Sequence, residues 1–266
     1  MVASTIVGHM TEFSSHEPGT PSWVDLMAMD IEGAKAFYGE LFGWEIEDQH
    51  DEYGNRIYSM ARLDGKAVAG LREVPPSTKR SPFWNTYVTT SDIDATMETV
   101  KANGGEVLVR PTQMNDSGTR ATFADPTGAA FSAWQPQEHI GVQLGNVANT
   151  YSWSELMTQD MPKAQDFYST VFGWTYATHE GMGDYQIIGE QLAGMRELKD
   201  QGSEVTHSHW GTYFTVDNLD ESVAKAEALG GRVRIPTTGL AGGRRFTKMS
   251  DKGSASFMLL DSNGTS

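Results

Sequence analysis

The sequence lacks cysteine altogether. That absence excludes disulfides, thiolate nucleophiles and cysteine-ligated zinc or iron–sulfur centres, and it removes any need for an oxidising compartment. Basic residues are also scarce, because 20 Lys and Arg stand against 35 Asp and Glu and leave a net charge of −15. A field of that sign repels nucleic acid and anionic membranes, so we predict neither as a partner.

Long apolar runs are missing as well. No stretch approaches the roughly 20 residues of a membrane span, and residues 1–19 lack the basic and apolar regions of a secretion signal. These residues contain Gly, Ser and Pro and predict a flexible N-terminal tail. The sequence also has neither a glycine-rich nucleotide loop nor a nucleophile elbow. We therefore predict a cytoplasmic protein, a monomer or homodimer, without a nucleotide cofactor.

Two stretches of the chain repeat each other. Residues 22–44 (SWVDLMAMDIEGAKAFYGELFGW) match residues 152–174 (SWSELMTQDMPKAQDFYSTVFGW) without a gap, with 11 of 23 positions identical. WNTYVTTSDID from Trp84 likewise matches WGTYFTVDNLD from Trp210. Agreement over this length predicts a duplicated domain.

Each repeat begins with the pattern of a strand followed by a helix. In the first copy, residues 23–28 predict a strand, and Asp30 stands where a helix N-cap belongs. Gly43 is placed to end the helix as a C′ glycine, and Asp64-Gly65 predicts a hairpin between two later strands. The order is βαβββ, one module. The apolar stripe of its helix is formed by Ala34, Phe37, Tyr38, Leu41 and Phe42.

The same module recurs in the second part of each half. Residues 85–90 predict a strand and residues 93–103 a helix, and Asp125-Pro126-Thr127-Gly128 predicts the turn before the last strand. The chain thus predicts an α+β fold with four βαβββ modules paired into two domains. We place these domains at residues 20–138 and 150–262, with a linker at 139–149.

The strand, the pattern D-x-x-x-A-x-x-FY-x-x-x-FGW and the closing ADPTGAAFSAWQP resemble the vicinal oxygen chelate superfamily. Its members include glyoxalase I, bleomycin- and fosfomycin-resistance proteins and extradiol dioxygenases. PSWVDLMAMD and FWNTYV are similar to a tandem-domain actinobacterial branch described as glyoxalase-like or hydroxylase-like. The resemblance implies two glyoxalase/bleomycin-resistance-type domains whose curved mixed sheets form open cups. Because this fold supports many chemistries, function has to be argued from the site.

Metal-dependent members of the superfamily hold their ion with His, Glu or Gln on cup-facing strands. The resemblance places the corresponding positions of this chain at Trp23, Asn85 and Ser132, and at Trp153, Gly211 and Phe257. Indole, glycine and phenylalanine are not ligands for divalent metals. We therefore expect no metal and no other cofactor.

Strand alternation predicts what the cups contain instead. If Trp23 and Trp153 face the cups, then Asp25 and Glu155 do so too, two residues later. These carboxylates are candidate catalytic acids or bases, or they pair with arginines such as Arg72, Arg120, Arg196 or Arg244. The candidate ligand-binding residues are Trp23, Asn85, Tyr87, Ser132, Trp134, Trp153, Tyr213 and Phe257.

This composition suits a hydrophobic or aromatic small molecule held by one or two polar anchors. The first hypothesis is therefore a metal-independent binding protein. The alternative is a lyase, isomerase or hydroxylase/oxygenase-type enzyme that acts on an aromatic natural product through Asp25 or Glu155. Two further interpretations stay open: the tryptophans simply fill the cups, or the fold serves as an interaction scaffold.

Overall fold

The computed structural model describes residues 11–74, 81–179, 181–198, 207–240 and 242–262. Those residues form two eight-stranded sheets, one in each half, and a small two-stranded pairing. None of the described helices has the length and hydropathy needed to cross a membrane. The elements of the first half are β1 (Thr11–Glu12), β2 (Pro21–Ala28), α1 (Ile31–Phe42), β3 (Glu45–His50), β4 (Arg56–Leu63), β5 (Lys66–Glu73), β6 (Phe83–Thr89), α2 (Ile93–Ala102), β7 (Glu106–Met114), β8 (Gly118–Ala124) and β9 (Ala130–Pro136).

The second half repeats this order after the short strand β10. Its elements, with β10, are β10 (Leu144–Gly145), β11 (Thr150–Thr158), α3 (Met161–Phe172), β12 (Tyr176–Thr178), β13 (Gln186–Ile188), β14 (Ala193–Glu197), β15 (His209–Val216), α4 (Leu219–Ala228), β16 (Arg232–Gly239), β17 (Arg245–Ser250) and β18 (Ser256–Asp261). The predicted α+β fold with four βαβββ modules in two domains is confirmed.

Within each half, the two modules join edge to edge through their first strands. The sheet order is β3-β4-β5-β2-β6-β9-β8-β7 in the first half and β12-β13-β14-β11-β15-β18-β17-β16 in the second. The strands β2 and β6 pair antiparallel, while β5 and β9 flank them in parallel. This arrangement brings cup-facing side chains from four strands to the centre of each sheet.

The helix ends follow the sequence signals. The Asp30 carboxylate accepts a hydrogen bond from the Gly33 N–H at 2.9 Å, as an N-cap does. Gly43 ends α1 with φ +71°, the left-handed conformation that glycine adopts without a Cβ penalty. Asp160 and Gly173 play the same parts at α3. The predicted hairpin at Asp64-Gly65 is also present, with both residues at positive φ.

The two halves interlock through their helices. Tyr38 of α1 donates to Asp251 of the second half at 3.0 Å, and Tyr168 of α3 donates to Asp125 of the first half at 3.1 Å. Each tyrosine hydroxyl also accepts an indole N–H, from Trp84 and Trp210 respectively. Asp125 of the predicted turn and its counterpart Asp251 therefore each bind a tyrosine of the opposite domain.

The segment 11–19 differs from the prediction of a flexible tail. Strand β1 pairs antiparallel with β10, and the Phe13 N–H donates to the Gln143 carbonyl at 3.0 Å. Further along, Gly19 O accepts a hydrogen bond from Trp174 Nε1 at 2.7 Å. Glycine and serine content, on which the tail prediction rests, does not register pairing with a distant strand. Residues 1–10 lie outside the described residues.

Candidate functional site

The first cup is the concave side of the first sheet, and Asp25 lies at its centre. This carboxylate is fully buried on β2. It accepts a hydrogen bond from the Tyr87 hydroxyl at 2.7 Å, and Arg72 Nε lies 3.1 Å from Asp25 Oδ2. Burial lowers the pKa of Arg72, but the charge interactions with Asp25, Tyr87 and Tyr58 together raise it above its ordinary value. Asp25 is thus held as half of a buried ion pair, one of the alternatives the sequence left open.

A chain of polar side chains extends from this pair across the floor of the first cup. Asn85 Nδ2 lies 3.4 Å from Asp25 Oδ1 and donates to Ser132 Oγ at 2.9 Å. Ser132 in turn shares a hydrogen bond of 2.9 Å with Thr122. The strand register aligns these groups, since β6 and β9 run in parallel with Tyr87 opposite Ser132. The predicted residues Asn85, Tyr87 and Ser132 are therefore close together, but Asn85 and Ser132 bond to each other and Tyr87 bonds to Asp25.

The linker closes the mouth of the first cup. The His139 ring packs edge-on against Trp23, with centroids 4.5 Å apart, and its carbonyl accepts a hydrogen bond from Trp134 Nε1 at 2.8 Å. Trp23 and Trp134 keep only 4% and 6% of their surface exposed. Burial lowers the pKa of His139 to about 4, so the ring is neutral at neutral pH. The sequence placed His139 in the linker without predicting this contact.

The second cup lies on the second sheet. It also has a central carboxylate, Glu155, but the residues around this carboxylate differ. Glu155 is 2% exposed and accepts a hydrogen bond from the Tyr213 hydroxyl at 2.6 Å. Arg196 Nη1 lies 3.7 Å away, and half of the Arg196 side chain is exposed. Burial raises the pKa of Glu155, opposed by Arg196, by the Tyr213 hydrogen bond and by Lys248. The pairing with Arg196 is therefore looser than the pairing of Asp25 with Arg72.

The walls of the second cup are also more exposed and contain methionine side chains. Trp153 is half-buried and donates to the Tyr185 hydroxyl at 3.0 Å. Gly211 occupies the place of Asn85, and the methyl groups of Met157 and Met258 fill the space beside it. Methionine side chains are flexible and fill irregular gaps, so they can yield to another molecule. Clefts of about 310 and 140 Å³ lie elsewhere, next to α3 and α1.

Phe257 does not face the second cup, and this prediction was wrong. Its ring packs against Tyr38 and Phe214 on the helix side of the sheet, with centroid separations of 5.5 and 6.4 Å. The cup-facing residue of β18 is Met258, which lies opposite Tyr213. The sequence alignment of the last strands was out by one residue, and a one-residue shift moves every side chain to the other face.

Several site residues escaped the sequence analysis although the repeat contained a signal for them. AGLRE at residues 69–73 matches AGMRE at 193–197. In each copy the glycine lies under a tyrosine: a Cβ on Gly70 would come within 1.8 Å of the Tyr58 hydroxyl, and one on Gly194 within 1.8 Å of the Tyr185 hydroxyl. The arginine two residues later, which the sequence analysis did name as a possible partner, pairs with the cup carboxylate. Lys248 and His209 carried no such signal, because they are not repeated.

The residues of the cups do not fit a divalent metal. Among the described residues, no group of three or more His, Asp or Glu lies close enough to hold an ion. Each cup contributes one carboxylate near its centre, and both carboxylates have arginine partners. Metals of this kind need several imidazole or carboxylate donors that converge on one point.

Fold and repeat together define a tandem protein of the vicinal-oxygen-chelate type. The family model of the Glyoxalase/Bleomycin resistance protein/Dioxygenase superfamily matches residues 20–132 and 143–259, and the chain belongs to that superfamily. This match confirms the resemblance on which the sequence analysis relied.

The chain is similar over nearly its whole length to two curated proteins. It is 36% identical to "Putative glyoxylase CFP32" of Mycobacterium tuberculosis (strain CDC 1551 / Oshkosh), covering 94% of this chain and 98% of the relative. It is 32% identical to "Anthracycline biosynthesis protein DauV" of Streptomyces sp. (strain C5), covering 95% of each. Among solved structures, the Mn(II)-bound glyoxalase from Novosphingobium aromaticivorans matches with a TM-score of 0.65 and 14% identity, covering 92% of this chain and 82% of that one. Identity at that level shows a shared fold alone.

Proposed function

We propose that the second cup binds a flat, largely apolar organic molecule without a metal ion. The observation that carries this proposal is the contrast between the cups. In the first, Asp25 is locked by Arg72 and the linker His139 covers the mouth. In the second, Trp153 is half-buried and Arg196 is half exposed at the corresponding places. The first cup then serves as a structural element and the second as the functional site.

An aromatic ligand matches the chemistry of the second cup. The indole of Trp153 offers a flat face for stacking, and the Met157 and Met258 side chains can rearrange to admit a ring. The name of the relative DauV places that protein in anthracycline biosynthesis, which is chemistry of polycyclic aromatic compounds. Independence from metal rests on the donor sets of the cups, which contain too few converging ligands.

Tryptophan replacement in matched positions tests the binding site. Anthraquinone-2-carboxamide, a neutral planar probe, should bind the wild-type protein in calorimetry, both with and without a chelator. Trp153→Ala should weaken binding about tenfold, since it removes stacking and buried area. Trp23→Ala is the control, because its indole lies in the cup that we assign as structural, and near-ultraviolet circular dichroism reports whether each variant is folded. Loss of binding in Trp23→Ala alone would move the site to the first cup and defeat the proposal.

A second candidate function is acid–base catalysis by Glu155 on such a ligand. The raised pKa of this buried carboxylate favours it, because proton-transfer groups work best with a pKa near the working pH. If Glu155 acts as a base, the wild type should speed deuterium exchange from D2O into 1-indanone, an aromatic ketone with acidic C–H bonds. Glu155→Gln should return exchange to the uncatalysed rate, whereas Asp25→Asn should not. Equal exchange in wild type and Glu155→Gln would remove this role.

A further inference from the structure

We infer that the ligand of the second cup carries an anionic group, a carboxylate or phenolate, attached to its aromatic ring. This inference rests on the proposed function and narrows its ligand to one chemical class. Its basis is a concentration of positive charge at the second cup, in a chain whose net charge is −15.

Comparison of the two cups locates the added charge. Lys248 lies opposite Met258, where the first half has Thr122 opposite Ser132. Arg234 follows Val233 on β16. The equivalent residue on β7 is Leu108, which follows Val107. The first cup has Arg120 opposite Trp134, where the second has Phe246 opposite Leu260. The second cup thus gains Lys248 and Arg234 and loses one arginine, a net gain of one cation.

These cations are added to the arginine that both cups share, while the number of central carboxylates stays at one. Arg72 in the first cup corresponds to Arg196 in the second, and Asp25 corresponds to Glu155. The second cup therefore has more positive charge than its own acid can balance.

Lys248 is the cation with the least compensation. Its side chain is half-buried, and no hydrogen bond or ion pair joins its ammonium to any residue that the structure describes. Burial lowers the pKa of Lys248, attraction to Glu155 raises it, and repulsion from Arg196 and Arg234 lowers it. Burial also raises the pKa of Glu155, the carboxylate that attracts Lys248. An anion bound beside Lys248 would relieve this repulsion and form a charge-assisted hydrogen bond.

His209 adds a hydrogen-bond acceptor on the same side of the sheet. It lies opposite Met157 in the strand register, and its charge interaction with Lys248 places the two near each other. His209 Nδ1 lies 2.9 Å from the His207 carbonyl and so must carry the proton, which leaves Nε2 as an acceptor. Nε2 is buried without a hydrogen-bond partner in the described structure. A hydroxyl on the ligand could donate to it, which favours hydroxylated aromatic acids within the anionic class.

Two probes of equal shape and different charge test the inference. Anthraquinone-2-carboxylate should bind the wild-type protein about tenfold more tightly than anthraquinone-2-carboxamide, the typical effect of a charge-assisted hydrogen bond. Lys248→Met should abolish this preference while leaving carboxamide binding nearly unchanged, and Arg196→Gln should reduce it. Lys101→Met, which removes an exposed lysine on α2, should keep the preference and serves as the control. Added sodium chloride should weaken carboxylate binding in the wild type more than in Lys248→Met.

The outcomes separate this inference from the proposed function. Equal affinity for the two probes, with both lost in Trp153→Ala, would overturn the inference and leave the binding function standing. A preference for carboxylate that survives Lys248→Met would also overturn it, since the charge would be recognised elsewhere. If neither probe binds the wild-type protein, both the proposed function and the inference fail.

Discussion

At the scale of single residues, the two buried carboxylates show how partners decide the behaviour of an acid. Asp25 and Glu155 occupy equivalent places on β2 and β11, opposite Asn85 and Gly211 respectively. Arg72 is mostly buried and lies 3.1 Å from Asp25, whereas Arg196 is half exposed and lies 3.7 Å from Glu155. A cation exposed to water stabilises a buried carboxylate less than a buried cation held close to it. Burial therefore raises the pKa of Glu155, and the half-exposed Arg196 offsets that rise only in part.

Replacement of Glu155 by Gln should change how stability depends on pH. Because burial raises the folded-state pKa of Glu155 above its ordinary 4.5, its contribution to stability is complete below that pH and declines as pH rises through the raised value. The variant lacks this decline. We expect its free energy of unfolding, relative to wild type, to rise from acid to neutral pH, measured by urea unfolding. Glu98→Gln, at an exposed helix position, should run parallel to wild type, and parallel curves for Glu155→Gln would contradict the expectation.

At the scale of elements, strands β5 and β14 are shaped by glycines that let a tyrosine lie across them. The Tyr58 hydroxyl covers Gly70 and accepts a hydrogen bond from Trp23 Nε1 at 2.9 Å. The second sheet repeats this arrangement with Tyr185, Gly194 and Trp153. A glycine in the middle of a strand normally weakens it, and close approach of another group is a reason for its presence. Each cup therefore requires glycine at this strand position, because a side chain there would collide with the tyrosine.

Gly70→Ala should destabilise the protein because the new methyl would overlap the Cζ and hydroxyl of Tyr58. We expect a loss of about 1–3 kcal/mol in the free energy of unfolding, the usual cost of overpacking, together with a change in tryptophan fluorescence as Trp23 loses its partner. Gly239→Ala is the matched strand control, since nothing lies within 4 Å of its Cβ position. Equal midpoints for the two variants in urea would show that Tyr58 moves aside freely.

At the scale of the whole molecule, the two domains share two hydrophobic clusters across their interface. Phe37 and Phe42 of the first half and Phe214 and Phe257 of the second belong to a single buried cluster. Another cluster joins Phe131 of the first half to Phe167 of the second, with ring centroids 6.1 Å apart. Neither half covers its own helix-side surface, so each depends on the other for burial of its aromatic rings.

Tyr38→Phe should weaken both halves at once. The substitution leaves the buried Asp251 without its tyrosine donor and Trp84 Nε1 without its acceptor, which costs about 1–3 kcal/mol. Because the tyrosine bridges the domains, we expect far-ultraviolet circular dichroism and tryptophan fluorescence to keep one coincident transition at a lower urea concentration. Tyr168→Phe should lower the urea midpoint in the same way, because it occupies the equivalent place in the second half. Tyr53→Phe, at an exposed position, should leave the midpoint unchanged. Two separate transitions in Tyr38→Phe would indicate that the halves unfold independently.

The sequence alone determined the duplication, the four modules and the helix ends. These features rest on signals between residues that are near in sequence, such as Asp30 with Gly33 or the apolar stripe of α1. It also identified the cup residues on the first strands, because alternation along a strand is local. It failed at Phe257, where one residue of slippage in an unrepeated stretch reversed the face of the strand.

Tertiary structure decided how the two cups differ in the pairing of their carboxylates and in their exposure. Arg72 is buried more deeply than Arg196, and this difference holds Asp25 in a tight ion pair and leaves Glu155 in a looser one. The first cup is covered because the His139 ring packs against Trp23. The link from Tyr38 to Asp251 spans 213 residues of chain. No local pattern encodes such distances, because desolvation and pairing of a charge are set by all the elements that pack around it. The duplication therefore fixed two similar cups, and long-range packing made them different.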